Sequence, residues 1–189
     1  MYNGKTTEEY SALYDSPIGR IIMTSDGDAL TSLSFEDSTL LKTRAKSSKN
    51  TAAIEDATRW LDIYFRGEIP DFTPKLRPSG TPFRKKIWDA ATRIEYGSTA
   101  AYADIAEAAL GRENRSSSAR AVGGALGANP ILIIIPCHRV VPSGGGYGGY
   151  SAGLTRKKYL LKLEAETAAA IKTEKNNEKP TQVIKQGMP

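Results

Sequence analysis

Cysteine and histidine are nearly absent from this sequence, which has one of each among its 189 residues. One cysteine excludes an internal disulfide, and together with one histidine it excludes the structural zinc sites that need four such ligands. Long apolar runs are missing too, since residues 131–135 fall far short of the roughly 20 that span a bilayer. Residues 1–10 are polar and acidic and lack the pattern of a signal peptide. We therefore expect no metal site and no membrane segment, and a thiol that must stay reduced favours the cytosol.

Acidic residues are fewer than basic ones: 21 Asp and Glu against 26 Lys and Arg give a net charge of +5 and a pI near 9.2. This surplus favours a polyanionic partner. The proportions of 40% hydrophobic and 25% charged residues are ordinary for a globular protein. A chain of this length has room for one or two small domains.

The first part of the chain, residues 1–69, has the pattern of a small α+β domain. Residues 10–35 alternate in the manner of strands, and the Asp-Gly pair at positions 26–27 favours a hairpin. Residues 51–65 carry apolar side chains at helical spacing, and Gly67 ends the predicted helix. We find no chemistry in the residues of this domain.

Prolines and a polar tail mark the boundaries of a second domain. Prolines at positions 70, 74, 78 and 82 predict a linker over residues 70–80. Thr81 and Pro82 form the pattern of a helix start, so the second domain is placed at residues 81–167. Residues 168–189 are rich in Lys, Glu and Asn, which favours a disordered tail. The predicted class is α+β: a small N-terminal α/β domain, then a mainly helical C-terminal domain with the cysteine after a short strand.

Two predicted helices, residues 102–110 and 116–128, flank a polar turn in a helix-turn-helix pattern. The core face of the second helix is predicted to comprise Ala119, Val122 and Leu126. Its other face carries Arg120 among small residues at helical spacing: Ser116, Gly123, Gly124 and Gly127. Glycine inside a helix costs about 0.5–1 kcal/mol relative to alanine, so three glycines on one face require an explanation. Either another helix packs closely there, or the backbone is bare so that a minor groove about 6 Å wide can approach it.

The cysteine and the histidine are adjacent in the chain, Cys137 and His138, directly after the apolar residues 131–135. This apolar run predicts a short buried strand that Pro136 ends. A thiol beside an imidazole is the usual pair in an activated sulfur nucleophile. A lone cysteine after an apolar run is more often an inert buried residue, and the residues alone leave both interpretations open.

Glu164 lies on the apolar face of the last predicted helix, residues 153–166, beside Leu160 and Leu161. A carboxylate on that face must be paired or hydrogen-bonded. It either forms a structural ion pair with an arginine or orients the only imidazole, which would complete a Cys–His–Glu arrangement. Both alternatives are open at this point.

The motif PCHRVV at residues 136–141, preceded by RAVGGALGANP and followed by YSAG and a helix with Glu164, resembles the O6-alkylguanine-DNA alkyltransferases. This family is also called the methylated-DNA–protein-cysteine methyltransferases. The resemblance covers residues 81–164 in register, and residues 16–35 resemble the family's N-terminal domain more loosely. It implies DNA repair by direct reversal: the alkyl group of O6-alkylguanine, and of O4-alkylthymine, passes irreversibly to the protein's own cysteine in a single turnover.

The resemblance also implies catalytic roles for particular residues. Cys137 would accept the alkyl group, His138 would take the thiol proton through a water, and Glu164 would orient His138. Asn129 would tie the recognition helix to the active-site segment. Tyr102 would protonate the guanine ring as the alkyl group leaves.

Further residues are implied to bind the substrate and the DNA. The guanine pocket would be formed by Tyr150, Ser151, Val140 and Ala152, with the backbone carbonyls of Cys137 and Val140 accepting from the exocyclic amine. Many family members have glycine where this chain has Ala152. Arg120 would enter the base stack in place of the flipped nucleotide. The other implied DNA contacts are Ser116, Ser117, Ala121, Gly123 and Gly124.

The implied partner is double-stranded DNA that contains O6-alkylguanine and is bound through its minor groove. The protein is implied to act as a monomer without a cofactor, in the cytoplasm and associated with the nucleoid or nucleus.

Three other functions compete with this one. A non-catalytic sensor of alkyl damage would have replaced Cys137. A cysteine hydrolase would leave the bare helix face with Arg120 unexplained. A plain helix-turn-helix regulator would have no use for the PCHRV motif.

Overall fold

The computed structural model describes residues 9–37, 50–114 and 119–177. The N-terminal part is a three-stranded antiparallel sheet of β1 (Tyr10–Ser16), β2 (Gly19–Ser25) and β3 (Leu30–Phe35), in that order. Between β2 and β3, the Asp26 carboxylate accepts hydrogen bonds from the N–H groups of Asp28 and Ala29, which confirms the predicted hairpin. Helix α1 (Ala52–Phe65) begins after the N-cap Thr51 and packs against the sheet.

The C-terminal part is mainly helical, which confirms the predicted α+β class. Its elements are α2 (Pro82–Thr92), β4 (Ala100–Ala101), α3 (Tyr102–Leu110), α4 (Ala119–Gly127), β5 (Val140–Val141) and α5 (Leu154–Asn177), with 3-10 turns at Arg112–Asn114 and Cys137–Arg139. The predicted N-cap Thr81 and the predicted bounds of α3 are confirmed. Because β4 pairs in parallel with β5, the start of α3 is joined to the segment after Cys137. Within the described ranges, each helix is too short or too polar to cross a membrane.

Residues 131–135 do not form the predicted strand: the chain turns here, and the short strand β5 follows Cys137 instead of preceding it. Ile131 forms an isolated bridge with Leu33 of β3. Ile133 has a φ of 68°, a left-handed conformation foreign to strands, and the Ile135 N–H donates to the Ile131 carbonyl at 3.1 Å. All five side chains are buried. The prediction was wrong because a continuous apolar run shows burial but carries no period that separates a strand from a turn.

Helix α4 differs from the prediction at one buried position. Val122 and Leu126 are buried as predicted, but Ala119 is exposed and Ala125 takes its place. The Trp88 indole N–H donates to the Ala125 carbonyl at 2.8 Å, which holds this side of α4 against α2. Ser116 and Ser117, which were predicted to contact DNA, lie outside the described residues.

Helix α5 continues past residue 166, where the sequence predicted its end, to Asn177. Residues 168–177 are therefore helical and not a disordered tail, which the three alanines at 168–170 favour, since alanine is the best helix former. The remaining tail residues, 178–189, lie outside the described part of the chain.

Residues 70–80 are not a free linker, because they border β3. The Leu30 N–H donates to the Lys75 carbonyl, and the Arg77 N–H donates to the Leu30 carbonyl, both at 2.8 Å. Farther along the same strand, the Leu33 N–H donates to the Pro130 carbonyl at 2.9 Å. One hydrophobic core extends through both parts of the chain. The sheet therefore supports the turn that leads to Cys137.

Candidate active site

Cys137 lines a cavity of about 550 Å³ that opens between α3, α4 and the segment before α5. The residue is 5% exposed. Several residues predicted for the site line the same cavity: Tyr102, Arg120, Gly123, Tyr150 and Ser151. The predicted residues Ala121 and Gly124 are exposed on α4 outside this lining, and Ala152 borders a neighbouring cavity. The fold thus brings the thiol, the bare helix face and two of the four predicted pocket residues, Tyr150 and Ser151, together, while Val140 and Ala152 lie outside this lining.

Asn129 connects the end of α4 to the turn that carries the thiol. Its fully buried side chain accepts a hydrogen bond from the Ile131 N–H at 3.0 Å. Its amide nitrogen donates to the Ile135 carbonyl at 2.9 Å and to the Cys137 sulfur at 3.1 Å. One side chain therefore holds both ends of the turn and one side of the sulfur atom.

Replacing Asn129 with alanine should lower the free energy of unfolding by about 1–3 kcal/mol, because the buried Ile131 N–H loses its partner, while the Ile135 carbonyl keeps the Cys137 N–H. Urea unfolding monitored by fluorescence measures this loss. Asn114→Ala is a matched control, since the Asn114 amide donates to the Leu110 carbonyl at 2.9 Å in a partly exposed turn and should lose less than about 1 kcal/mol. Equal losses in both variants would show that the Asn129 contacts add nothing beyond those of a surface turn.

Glu164 of α5 is fully buried and combines the two alternatives that the sequence left open. Its Oε1 lies 2.8 Å from His138 Nε2. The Arg139 guanidinium donates to both carboxylate oxygens, from Nε at 2.8 Å and from Nη2 at 3.0 Å. The Tyr64 hydroxyl donates to Oε1 at 2.7 Å, and the Gly97 N–H donates to Oε2 at 3.3 Å. Glu164 is both the partner of an arginine and the group that holds the imidazole.

The protonation states in this network follow from its hydrogen bonds. Burial alone would raise the pKa of Glu164, but the hydrogen bonds and charges of His138 and Arg139 lower that pKa to about 2. Since the ionised carboxylate only accepts, His138 Nε2 carries the ring proton and Nδ1 holds the lone pair. Burial lowers the pKa of His138, so the imidazole is neutral at pH 7. Nδ1 is buried and makes no hydrogen bond to the described residues.

The thiol is not ionised in the resting protein. Burial raises the pKa of Cys137 to about 11, although the Asn129 hydrogen bond and the Lys157 charge act in the opposite direction. Sulfur attacks carbon as a thiolate, so a base has to remove this proton near neutral pH. His138 directly follows Cys137 in the chain, and the lone pair on its Nδ1 suits the removal of this proton.

Hydroxyl-bearing residues line the cavity: Tyr102, Tyr150 and Ser151. Burial raises the pKa of Tyr102 and raises that of Tyr150 well above its usual value, so both phenols stay protonated. The Tyr150 hydroxyl and the Ser151 Oγ are buried and make no hydrogen bond to the described residues. Buried hydroxyls without partners are uncommon, and at a cavity wall they suit a polar ligand.

Three residues of this site escaped the sequence reasoning: Tyr64, Arg139 and Lys157. The fully buried Lys157 ammonium donates to the carbonyls of Val140 at 2.7 Å and Gly149 at 3.1 Å. Its signal was available, because it precedes Glu164 by two helical turns on the same face. Arg139 lies inside the conspicuous motif. Tyr64 gave no signal, since it belongs to a helix of the other domain.

The exposed face of α4 carries mostly small residues, and no other helix of the described structure packs closely against its glycines. A Cβ atom added at Gly124 or Gly127 would meet no described atom within 4 Å, and one at Gly123 would reach only the Tyr102 ring at 3.8 Å. Close packing of another helix, one of the two explanations from the sequence, is therefore wrong for the described part of the molecule. The slim face is open to an external surface, with the exposed Arg120 upon it.

Comparison with protein families divides the chain at the same place as the fold. Residues 82–166 match the family model of the 6-O-methylguanine DNA methyltransferase DNA binding domain. Residues 10–78 match the model of the ribonuclease-like domain of the same family.

Individual relatives cover most of the chain. A methylated-DNA–protein-cysteine methyltransferase of Methanosarcina acetivorans is 39% identical over 82% of this chain and 97% of its own length. Another, from Mycobacterium leprae, is 42% identical over 79% of this chain and 88% of its own. Among solved structures, Mycobacterium tuberculosis OGT in complex with DNA has a TM-score of 0.74 and 37% identity, covering 84% of this chain and 94% of that one.

Proposed function

The chain belongs to the 6-O-methylguanine DNA methyltransferase family, and from this premise we propose that its own Cys137 takes the alkyl group from O6-alkylguanine in DNA. The protein is a methyltransferase that acts in DNA repair by alkyl transfer, and DNA is its partner. One observation carries the assignment to this residue. The only thiol of the chain lines a cavity beside a bare, arginine-bearing helix face, and a buried His–Glu pair adjoins it.

The transfer is a displacement at the alkyl carbon. A water passes the thiol proton of Cys137 to Nδ1 of His138, and Glu164 stabilises the imidazolium that forms. A new bond forms between the Cys137 sulfur and the alkyl carbon as the bond between that carbon and O6 breaks. The electron pair of the broken bond leaves with the guanine. Tyr102 gives its proton to the ring nitrogen, so neutral guanine remains in the DNA. Solvent exchange then restores both side chains.

The transfer consumes the protein. A thioether is stable in water, and the described residues that line this cavity include no group that hydrolyses it. Each chain therefore reacts once.

O4-alkylthymine is a second substrate, because its alkyl group is attached through the same kind of ether linkage. The protein acts as a monomer. It works where the DNA is, in the cytoplasm at the nucleoid or in the nucleus.

The guanine is held by residues outside α4. Tyr150 and Ser151 line the cavity, and the Ser151 N–H donates to O6. The carbonyls of Cys137 and Val140 accept from the exocyclic amine. Lys157 already donates to the Val140 carbonyl, which has a second lone pair for the base.

The DNA meets the exposed face of α4 through its minor groove, and the damaged nucleotide is flipped out of the duplex. The reacting carbon is inaccessible within the stack, so the base has to leave it. The open glycine positions of α4 let the backbone approach a groove about 6 Å wide. Arg120, on this face and at the cavity wall, fills the vacated place in the stack.

Arg120→Ala should slow repair in duplex DNA well beyond its loss of DNA affinity. Flipping costs a few kcal/mol, and an arginine that fills the gap offsets part of that cost. Reaction with free O6-methylguanine or O6-benzylguanine needs no flipping and should change little. Single-turnover rates on duplex and free base, measured for both proteins, provide the comparison. Equal losses on the two substrates would place Arg120 in support of the pocket or the fold instead.

The proposed function itself is tested by intact mass. A duplex with one O6-methylguanine, incubated with excess protein, should return to unmodified guanine while the reacted protein gains one methyl group. An unmodified duplex of the same sequence is the control. Restored guanine without a mass gain would indicate a hydrolytic or demethylating mechanism and refute transfer to the protein.

A further inference from the structure

Arg156, in the first turn of α5, links the two domains directly beside the loop that carries Tyr150 and Ser151. Its Nε donates to the Ile18 carbonyl at 2.9 Å, and both terminal nitrogens donate to the Asp37 carboxylate at 2.9 Å. Its Nη1 also donates to the Ala152 carbonyl at 3.1 Å. The guanidinium carbon lies 4.0 Å from the centre of the Phe35 ring. One side chain therefore contacts the N-terminal sheet on one side and the loop before α5 on the other.

The loop that Arg156 holds is a thin wall between two cavities. The outer cavity, of about 730 Å³, lies between Pro17, Ile18 and Asp37 of the N-terminal domain and the start of α5. Ser151 lines both this cavity and the one that contains Cys137. The Ser151 Oγ makes no hydrogen bond to the described residues, so this side chain does not anchor the wall.

The fit around Arg156 is close. A Cβ atom added at Gly19, the first residue of β2, would lie 2.9 Å from its Nη2. The planar fork of the guanidinium serves Asp37, the Ile18 carbonyl and the Ala152 carbonyl at once, which a lysine ammonium at the end of a flexible chain does not reproduce. The position of Ala152 is consequently tied to the N-terminal domain.

We propose that Arg156, anchored by Asp37, is a specificity-determining residue that fixes the Ser151–Ala152 wall and thereby limits the size of the alkyl group. Arg156 touches neither the reacting sulfur nor the guanine and acts by positioning the wall. The inference rests on the proposed function, because the wall matters only if an alkylated base occupies the inner cavity. It gives the N-terminal domain, in which the sequence shows no chemistry, a part in substrate selection.

The test compares two free bases, so DNA binding does not enter. Single-turnover rates are measured with O6-methylguanine and O6-benzylguanine, and the benzyl-to-methyl ratio is normalised to that of the wild type. Arg156→Met should raise this ratio by about tenfold, the lower range for a pocket that gains room for apolar groups. Arg156→Lys should not restore the wild-type ratio, because its ammonium lacks the fork.

Asp37→Asn keeps Arg156 and removes the charge of its anchor, so it should raise the ratio in the same direction by a smaller factor. Added to Arg156→Met, it should change nothing further, since both residues act through one contact. The matched control is Arg59→Met: Arg59 also pairs with an aspartate, Asp56, and lies over an aromatic ring, Phe72, but on α1. Its ratio should equal that of the wild type.

Each outcome decides the matter. Equal slowing of both bases in Arg156→Met, or an unchanged ratio, would overturn the inference and leave a structural role for the ion pair. If Arg156→Met does not fold, Asp37→Asn alone carries the test, and an unchanged ratio there overturns the inference as well. Failure of the wild type to take an alkyl group from either base or from duplex DNA would instead refute the proposed function.

Discussion

Cys137→Ser should gain no methyl group from a duplex with one O6-methylguanine, while the wild type gains one per chain. Serine preserves the size and polarity of the site, but its hydroxyl is far less acidic than a thiol and a much weaker nucleophile towards saturated carbon. Because no other thiol exists in the chain, no second acceptor can replace it. Intact mass and the mass of the proteolytic fragment that contains residue 137 measure the result.

Binding of the modified duplex should persist in Cys137→Ser, since the residue is buried and does not belong to the exposed face of α4. This retained affinity separates a chemical defect from a folding defect. Methyl uptake by the serine variant would place the acceptor elsewhere. Repair of many duplexes by one wild-type chain would contradict a reaction that ends at the thioether.

His138→Ala and Glu164→Gln should each slow methyl transfer by about 10²–10⁴-fold, the usual loss when a general base is removed or misaligned. Burial raises the pKa of Cys137 to about 11, so almost no thiolate is present at pH 7 without a base. The imidazole offers Nδ1 for that proton only while Nε2–H donates to the Glu164 carboxylate, whose Oε1 lies 2.8 Å from Nε2. Single-turnover rates with free O6-benzylguanine measure the chemical step without DNA.

The transfer rates of the wild type and of His138→Ala should depend on pH in different ways. In the wild type, burial lowers the pKa of His138, so the base is available at pH 7, and the rate should fall only as the pH drops below about 6.5, the ordinary histidine value. In His138→Ala, hydroxide has to remove the thiol proton. Its rate should therefore rise steadily from pH 7 towards the pKa of about 11 at Cys137. Parallel pH profiles would contradict the role of His138.

Controls separate activation from stability. Glu164→Gln leaves the buried Arg139 without its charge partner, which costs about 3–5 kcal/mol in comparable sites, so rates are taken at a temperature where both proteins are folded. Glu166→Gln, on the same helix but exposed beside Lys162, should react like the wild type. Alkylation of Cys137 by iodoacetamide should slow in both active-site variants. Equal iodoacetamide rates in wild type and variants at neutral pH would show that the thiol is not activated in this way.

Local signals predicted the parts of the fold that depend on neighbouring residues. Thr81 caps α2 as expected, because its hydroxyl accepts from the otherwise free Arg84 N–H of the first turn. The bounds of α3 follow from its period and from Gly111, whose φ of 100° suits a residue without a side chain. The apolar run before Cys137 failed as a strand prediction, because burial on all sides removes the period that would have distinguished it.

The sequence by itself determined which chemistry this protein has available. One thiol, one imidazole next to it, a carboxylate on an apolar helix face and a helix with a glycine-rich side limit the reactive groups to a few, because their rarity leaves no substitutes. Only the tertiary structure decided how they work together. It set the proton on Nε2 of His138 through Glu164, raised the pKa of Cys137 by burial, and added Tyr64 and Arg156 from distant segments. These are effects of distance and desolvation between groups far apart in the chain, which no local pattern of residues encodes.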